Sequence, residues 1–225
     1  MGLKTKEIDC YSIGPIMLLF NVVGRKMSHQ RLFVCIEGLD GCGKTTQARL
    51  LVRRLKRIHD AVYTAEPSRG ETGRFIKRHC LHTEKRGSVV VEALLFAADR
   101  LEHVRNEVLP ALNKGRIVVS DRYLYSSLAY QGAAGLDLEW IEKINEHAIT
   151  PDLALFIDVD PNIVIRRLKR KKSVMENLET QLKVREIYLK FVEKGALMRI
   201  DGNRSRSEVA KDITSAVSDC LKKAS

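Results

Sequence analysis

The chain has 225 residues and a mass of 25.5 kDa, enough for one substantial hydrophobic core. Hydrophobic residues make up 44% and charged residues 30%, which argues against a mostly disordered chain, a collagen-like repeat and a polytopic membrane protein. The 39 Lys and Arg outnumber the 28 Asp and Glu, and the net charge of +11 favours a polyanionic partner: nucleic acid, a membrane surface or a phosphorylated small molecule.

The first 26 residues differ in pattern from the rest. Residues 13–23 are mostly apolar but too few to span a bilayer, and the lysines before them give a faint likeness to a signal peptide. We predict that residues 1–26 are a leader outside the native fold, with Met27 as an alternative start; a targeting role is the other possibility. Residues 27–225 are predicted to form a single domain.

Short apolar runs, typical of strands buried on both faces, alternate with helical patterns along this domain. The predicted strands cover residues 32–36, 61–65, 117–120, 153–159 and 198–200. Between them, residues 45–59 form a strongly basic helical pattern, and residues 88–113 carry one apolar stripe that ends near Gly115. Alternating buried strands and helices predict an α/β fold, with a five-stranded parallel sheet covered by helices on both faces.

Three further helices are predicted from their capping residues. Asp137 is expected to cap a helix that contains Trp140, and Asp160 with Pro161 supplies an N-cap and a first-turn proline. Ser205 and Glu208 have the spacing of a capping box before the last helix.

The segment GLDGCGKT, residues 38–45, matches G-x-x-x-x-G-K-[ST] and lies between a predicted strand and a helix, as that motif requires. Its glycines let backbone N–H groups converge on phosphate oxygens at a helix N-terminus. Lys44 would reach the β- and γ-phosphates, and the Thr45 hydroxyl would bind Mg²⁺. The motif predicts binding of a nucleoside triphosphate with Mg²⁺ and does not distinguish a kinase from a GTPase or a motor. The expected nucleotide-binding residues, which are the ATP-binding residues if the nucleotide is ATP, are Gly38, Leu39, Asp40, Gly41, Cys42, Gly43, Lys44, Thr45 and Thr46.

Asp121 follows the predicted third strand, at the sheet edge where open parallel sheets bind ligands. A carboxylate at this place can hold the water shell of Mg²⁺, so Thr45 and Asp121 are the predicted metal residues. Arg122 comes next, and a cation beside the metal suits a phosphate.

Residues 166–172, RRLKRKK, place six cations in seven positions after the fourth strand. A solvated helix face or a nucleic-acid patch could explain such a run. Because phosphoryl transfer gains from arginines that meet charge on the γ-oxygens, and Cys42 brings no charge to the loop, we favour a short basic lid over the triphosphate. Arg166, Arg170 and Arg185 are the candidate lid arginines.

Several separated motifs now make the chain resemble the thymidylate kinase family, a group of P-loop nucleoside monophosphate kinases. IEGLDGCGKTT at residues 36–46 resembles the family's P-loop, and Glu66-Pro67 with Arg69 and Gly73 is similar to its second-strand segment. LFAADR at residues 95–100 resembles the acceptor-site helix, and DRY at residues 121–123, continuing to AYQG at 129–132, resembles the segment that is most specific to the family.

The resemblance implies roles for individual side chains. Phe96 would stack on thymine, Arg100 would donate to a base oxygen, and Ser127 could contact the base edge. Tyr130 would lie against the sugar and disfavour a ribose 2′-hydroxyl. Asp40 would accept from the 3′-hydroxyl or arrange the phosphates. The implied dTMP-binding residues are Asp40, Arg69, Phe96, Arg100, Arg122, Ser127 and Tyr130, and the implied catalytic residues are Lys44, Asp40, Asp121, Arg122, Arg166 and Arg170.

The function that follows is transfer of the γ-phosphoryl of ATP to dTMP with Mg²⁺, in dTTP synthesis, by a cytoplasmic homodimer. Two polyanionic substrates account for the positive charge, so neither nucleic acid nor a membrane is an expected partner. A related kinase acting on dUMP, another nucleoside monophosphate or a deoxynucleoside is the alternative. From a different class, an ATP-switched nucleic-acid-binding protein also fits a P-loop with a basic surface.

Overall fold

A computed structural model describes residues 31–81, 87–167 and 177–224 of the chain. The five predicted strands are confirmed, and the first continues beyond its predicted end to Gly38. The strands are β1 Leu32–Gly38, β2 Ala61–Ala65, β3 Ile117–Asp121, β4 Leu153–Asp158 and β5 Met198–Asp201.

The strands form one parallel sheet in the order β2-β3-β1-β4-β5. The central strand β1 has all seven residues buried, which explains why residues 32–36 are a continuous apolar run rather than an alternating one. In the register of β1 and β3, Ile36 stands opposite Asp121, so the carboxyl ends of these two strands lie side by side. That edge of the sheet, at the strand where the order reverses, is where α/β folds bind ligands.

Helices cover both faces of the sheet, as predicted. Helices α1 and α9 pack on each other and on the sheet, whereas α5 and α8 pack together and reach β1 and β4. The helices are α1 Lys44–Leu55, α2 Glu71–His79, α3 Val89–His103, α4 Leu109–Asn113, α5 Leu124–Ala133, α6 Leu138–Ile144, α7 Pro161–Arg167, α8 Leu178–Glu193 and α9 Arg206–Ala224.

The predicted capping residues are confirmed. Asp137 accepts a hydrogen bond from the backbone N–H of Glu139, and Asp160 accepts one from the N–H of Asn162 at 2.8 Å. The Ser205 N–H donates to the Glu208 carboxylate at 3.0 Å, and the Glu208 N–H donates to the Ser205 hydroxyl at 3.3 Å. This is the reciprocal pair that a capping box requires.

Two predicted helices differ from the structure. The basic helix predicted over residues 45–59 ends at Leu55, because the chain turns there to enter β2. The single helix predicted over residues 88–113 is α3, a π-helical turn at Val104–Val108, and α4. Pro110 explains this interruption: a proline has no N–H to donate, and its ring clashes with the carbonyl four residues earlier in a regular α-helix.

The predicted leader, residues 1–26, and most of the basic run, residues 168–172, lie outside the described residues. The domain boundary at residue 26 therefore stays a prediction. Within the described ranges, no helix combines the length and the apolar character that crossing a membrane requires.

Candidate functional site

The P-loop follows β1 at the centre of the sheet. Gly38, Gly41 and Gly43 have φ angles of 148°, 82° and 103°, a region that residues with a Cβ avoid, and this is the backbone reason for glycine at these three places. Helix α1 begins at the next residue, Lys44. The loop therefore ends on a helix N-terminus, whose free N–H groups and positive dipole favour a phosphate.

Lys44 is buried inside this loop, with 5% of its surface exposed. Its ammonium donates to the carbonyl oxygen of Leu39 at 2.7 Å and lies 3.9 Å from the Cys42 sulfur. The side chain is thus held inside the curl of the loop rather than in bulk solvent. A cleft of about 480 Å³ opens in front of it, lined by Asp40, Gly41, Gly43, Lys44, Thr45, Thr46, Glu66, Asp121 and Arg122.

Thr45 and Asp121, the two predicted metal residues, lie together. The Thr45 hydroxyl donates to Asp121 Oδ2 at 2.5 Å, and Tyr63 donates to the same oxygen at 3.2 Å. A hydroxyl and a carboxylate are oxygen ligands of the kind that Mg²⁺ prefers, and Mg²⁺ commonly takes one or two protein ligands beside phosphates and water. The residues present therefore fit this ion. Among the described residues no cluster of three or more His, Cys, Asp or Glu could enclose a metal without such partners.

Tyr63 was not found from the sequence. It lies on β2, with the Arg49 guanidinium 5.3 Å from its ring centroid. A tyrosine in a half-buried strand usually indicates packing, and nothing in the spacing shows that its hydroxyl reaches the end of β3. The pairing of β2 with β3, which brings the two side chains together, is a property of the sheet order.

Asp40, Arg122 and Tyr130 form one cluster beside the loop. Arg122 pairs with the Asp40 carboxylate, and its guanidinium lies 5.0 Å from the centroid of the Tyr130 ring. The Tyr130 hydroxyl accepts from the Asp40 N–H and donates to Asp40 Oδ2, each at 3.0 Å. Burial alone would raise the pKa of Asp40, but the charges of Arg122 and Lys44 outweigh burial and lower the pKa, which favours the carboxylate form.

Arg122 has an unusual backbone conformation for a residue with a side chain, with φ of 74°. This left-handed region costs a non-glycine residue about 1–2 kcal/mol. Two hydrogen bonds hold it there: the Arg122 N–H donates to the Ile36 carbonyl at 3.0 Å, and the Ser120 hydroxyl donates to the Arg122 carbonyl at 2.7 Å. The strained turn directs the guanidinium across the end of β1 towards Asp40.

A second, smaller cavity of about 110 Å³ adjoins the cluster, lined by Asp40, Glu66, Pro67, Leu81, Phe96, Arg100, Arg122, Ser126, Ser127, Tyr130 and Gln131. One part of its wall is apolar and aromatic, and another part is charged. Phe96 is half-buried on α3, with its ring available at the cavity wall. Asp40, Glu66 and Arg122 line both this cavity and the phosphate cleft, so the two spaces meet at these residues.

Arg100 is 1% exposed and hydrogen-bonded on several sides. Its Nε and Nη2 atoms donate to Glu66 Oε2 at 3.1 and 2.7 Å, and Nη1 donates to the Asn145 amide oxygen at 2.5 Å. Nη2 also lies 3.0 Å from the Ser127 hydroxyl. The predicted residues Arg100 and Ser127 are therefore neighbours, and Arg100 is fixed before any base could reach it.

Glu37, a buried acid on β1, is another residue of the site that could not be identified from the sequence. Its carboxylate accepts from the Tyr123 N–H at 2.9 Å, the Ser126 hydroxyl at 2.6 Å and the Tyr188 hydroxyl at 3.2 Å. Burial raises the pKa of this carboxyl, although the Ser126 hydrogen bond and Arg122 oppose the change. The signal in the sequence was an acid inside an otherwise apolar strand, at the step from β1 into the loop.

Three of the other predicted arginines are among the described residues, and none of the three lines either cavity. Arg69 is exposed between β2 and α2 and does not line the acceptor-side cavity within the described residues. Arg166 is exposed near the end of α7, where its Nε donates to the Asn162 carbonyl. Arg185 makes a bidentate pair with buried Asp158, at 2.6 and 2.9 Å. Arg170 lies outside the described residues.

The parallel sheet, the glycine loop at the end of β1 and the helix that begins at Lys44 define a P-loop NTPase fold. Comparison with known proteins is more specific. The family model for thymidylate kinase matches residues 36–213. A probable thymidylate kinase of Pyrococcus abyssi is 48% identical over 82% of this chain and 95% of its own length. A probable thymidylate kinase of Thermococcus onnurineus is 43% identical over 83% of this chain and 97% of its own length. That of Pyrobaculum aerophilum is 44% identical over 82% of this chain and 95% of its own length. The chain belongs to the thymidylate kinase family.

Proposed function

We propose that this protein transfers the γ-phosphoryl group of ATP to dTMP, giving ADP and dTDP for dTTP synthesis. The observation that carries the proposal is the shared wall of Asp40, Glu66 and Arg122 between the phosphate cleft and the aromatic-walled cavity. A donor phosphate on the P-loop and an acceptor phosphate in the second cavity would meet at this wall. Membership of the thymidylate kinase family supports the identity of the acceptor.

The chemistry asks the protein for positioning and charge rather than for a base. The acceptor oxygen belongs to a phosphate that is already largely ionised near neutral pH, so no general base has to remove a proton. The P–O bond to the γ-phosphorus breaks on the ADP side and forms on the dTMP side. Lys44 and Arg122 would offset the repulsion between the two polyanions and the charge that spreads over the γ-oxygens.

Mg²⁺ would be held at Thr45 and Asp121, where it would neutralise charge on the β- and γ-phosphates. The hydrogen bond between these residues already places the hydroxyl and the carboxylate side by side. Tyr63 bonds to the same carboxylate oxygen and so restrains the rotation of Asp121.

The acceptor would occupy the cavity between α3 and α5. We assign Phe96 as the stacking surface for thymine, Arg100 and Ser127 to the base edge, and Tyr130 to the face of the sugar. Asp40 would act with Tyr130, since their hydrogen bonds fix both groups beside Arg122. A role for Arg69, and for Arg166 and Arg170 in a lid, stays a prediction that rests on the resemblance alone.

A homodimer through α3 is the assembly that we propose. Large apolar side chains at the start of this helix are exposed, including Val90 at 44%, Val91 at 55% and Leu94 at 47%. Burial of such a patch against a second copy would remove it from water. Sedimentation equilibrium should give a dimer, and a strictly monomeric protein would contradict the proposed homodimer.

We also propose a cytoplasmic location for the protein. The described cysteines are free thiols, which suits a reducing compartment.

The proposed activity is tested by coupled ADP release with Mg·ATP and, in separate reactions, dTMP, dUMP, UMP, CMP, AMP, GMP and thymidine. Strong turnover with dTMP and little with UMP is the expected result. Preference for another acceptor would retain the P-loop chemistry but overturn the assignments of Phe96, Arg100 and Tyr130. No turnover with any acceptor, in folded protein that binds ATP, would overturn the proposed function.

A further inference from the structure

Behind the acceptor cavity, a chain of buried polar groups leads from Arg100 to the π-helical turn. His103, at the end of α3, is 1% exposed and lies one helical turn from Arg100. Both side chains meet the carboxylate of Glu66: Arg100 Nη2 lies 2.7 Å from Oε2, and His103 Nδ1 lies 3.1 Å from Oε1. Glu66 therefore stands between a guanidinium and an imidazole.

The hydrogen atoms shared among these buried polar groups can be counted. The Thr64 hydroxyl has one hydrogen and lies 2.8 Å from Glu107 Oε2, and a carboxylate oxygen can only accept. When both contacts of Thr64 are hydrogen bonds, that hydrogen goes to Glu107, and the Thr64 oxygen accepts from His103 Nε2, 2.6 Å away. On the other side of the ring, Glu66 Oε1 is again an acceptor, which requires a hydrogen on Nδ1.

The charges around the ring agree with this count. Glu66, Glu107 and Asp99 are the acidic groups that face or surround His103, and Arg100 is the neighbouring cation. The Glu66 side chain is 3% exposed, so a positive ring beside it would join Arg100 in offsetting a buried charge, whereas the Glu107 side chain is 38% exposed and is also solvated by water.

We propose that His103 carries a proton on both ring nitrogens and, as a buried imidazolium, positions Glu66 and through it Arg100 for recognition of the acceptor base. This inference rests on the proposed function, because it concerns the same cavity. His103 is a positioning residue: it does not line the cavity, whereas Glu66 and Arg100 do.

The consequence for Arg100 follows from its own hydrogen bonds. Its Nε and Nη2 atoms donate to Glu66 Oε2, and Nη1 donates to Asn145. Nη2 also lies 3.1 Å from the Tyr123 carbonyl and 3.0 Å from the Ser127 hydroxyl. Nη1 has two hydrogens, so one remains for the base edge. If Glu66 rotates when His103 no longer donates to it, Arg100 loses the partner that makes two of its hydrogen bonds, and the guanidinium can tilt against Asn145, Tyr123 and Ser127, which changes the direction of this hydrogen.

Two substitutions of His103 test the contributions of its two ring nitrogens separately. The amide nitrogen of His103→Asn lies near the position of Nδ1 and can still donate to Glu66, whereas that of His103→Gln lies near Nε2 and can donate only towards Thr64. His103→Gln should raise the KM for dTMP about tenfold or more, as expected for loss of a hydrogen bond to a charged group, with kcat and the KM for ATP nearly unchanged. His103→Asn should stay close to the wild type. Equal effects of the two variants, or an effect on ATP, would overturn the proposal.

A measurement without turnover guards against variants that fold poorly. In protein with ¹⁵N-labelled histidine at neutral pH, both ring nitrogens of His103 should show imidazolium shifts and bonded protons, with the signal assigned by its loss in His103→Asn. A neutral tautomer would overturn the inference even if dTMP is phosphorylated. Conversely, wild-type protein without kinase activity would contradict the proposed function and leave the imidazolium result standing.

Discussion

Lys44 is the residue on which the proposed chemistry depends most. It is buried in the P-loop with its ammonium against the Leu39 carbonyl, so its charge acts in a site of low dielectric rather than in water. We expect Lys44→Ala to lower kcat roughly 100-fold or more, equivalent to about 3 kcal/mol of transition-state stabilisation. Lys56→Ala, at the exposed end of the same helix, is the control and should leave kcat unchanged. An unchanged kcat in Lys44→Ala would remove its assigned role.

Phe96 tests the acceptor pocket separately from the P-loop. Its ring lines the small cavity but does not line the phosphate cleft within the described residues. Phe96→Ala should therefore raise the KM for dTMP about tenfold, since base–aromatic stacking contributes about 1–3 kcal/mol, and should spare the KM for ATP. Phe75→Ala is a matched control, because Phe75 is 46% exposed and packs on His79 instead. An effect confined to ATP would contradict the assignment.

The sequence predicted those site residues whose neighbours lie close in the chain or in a recognisable motif. Phe96, Arg100, Ser127 and Tyr130 do line one cavity, although only the resemblance indicated that they would. Glu37, Tyr63 and His103 could not be predicted, because their partners come from distant segments. Glu37, for example, is satisfied by Ser126 and Tyr188, and no local spacing records such a contact.

At the scale of elements, buried strands and capped helices were predictable because their signals are local. The apolar runs place the strands, and the Ser205–Glu208 pair places the start of α9. The interruption after α3 is different, because the apolar stripe of residues 88–113 continues across it. Pro110 is the one signal of this interruption in the sequence. The π-helical turn has a structural effect, since it carries Glu107 to the Thr64 hydroxyl and so completes the polar chain at His103.

The capping box of α9 gives a test of stability without activity. Ser205→Ala removes the side-chain acceptor for the Glu208 N–H, and loss of an N-cap costs about 1 kcal/mol. We expect the free energy of unfolding in urea to fall by about that amount, with little change in kcat. Ser215→Ala, at an exposed position inside the same helix, should be neutral or slightly stabilising because alanine favours helices. Equal losses in both variants would show that the cap contributes nothing.

At the scale of the whole molecule, the strand order creates the site. Alternation of strands and helices predicts a parallel sheet but leaves open which strands are neighbours. The order β2-β3-β1-β4-β5 places the carboxyl ends of β1, β2 and β3 together, which brings the P-loop, Glu66 and Asp121 to one edge. The shared wall between the two cavities could therefore not be derived from any single segment of the sequence.

The net charge of +11 also acts at this scale, because the proposed substrates are both polyanions. A positive field raises the rate at which anionic substrates arrive, and salt screens it over about 10 Å at 0.1 M ionic strength. We therefore expect kcat/KM for ATP and for dTMP to fall as NaCl is raised, while kcat, which reflects contacts between the bound substrates and the site, changes little.

Sucrose at matched viscosity is the control for slower diffusion. A kcat/KM that is independent of salt would mean that local contacts alone bring the substrates to the site. A fall in kcat of the same size would instead indicate that salt weakens the interactions of Lys44 and Arg122 with the bound substrates. Binding of random DNA that weakens steeply with salt, in protein that does not phosphorylate dTMP, would show that the charge serves a nucleic acid.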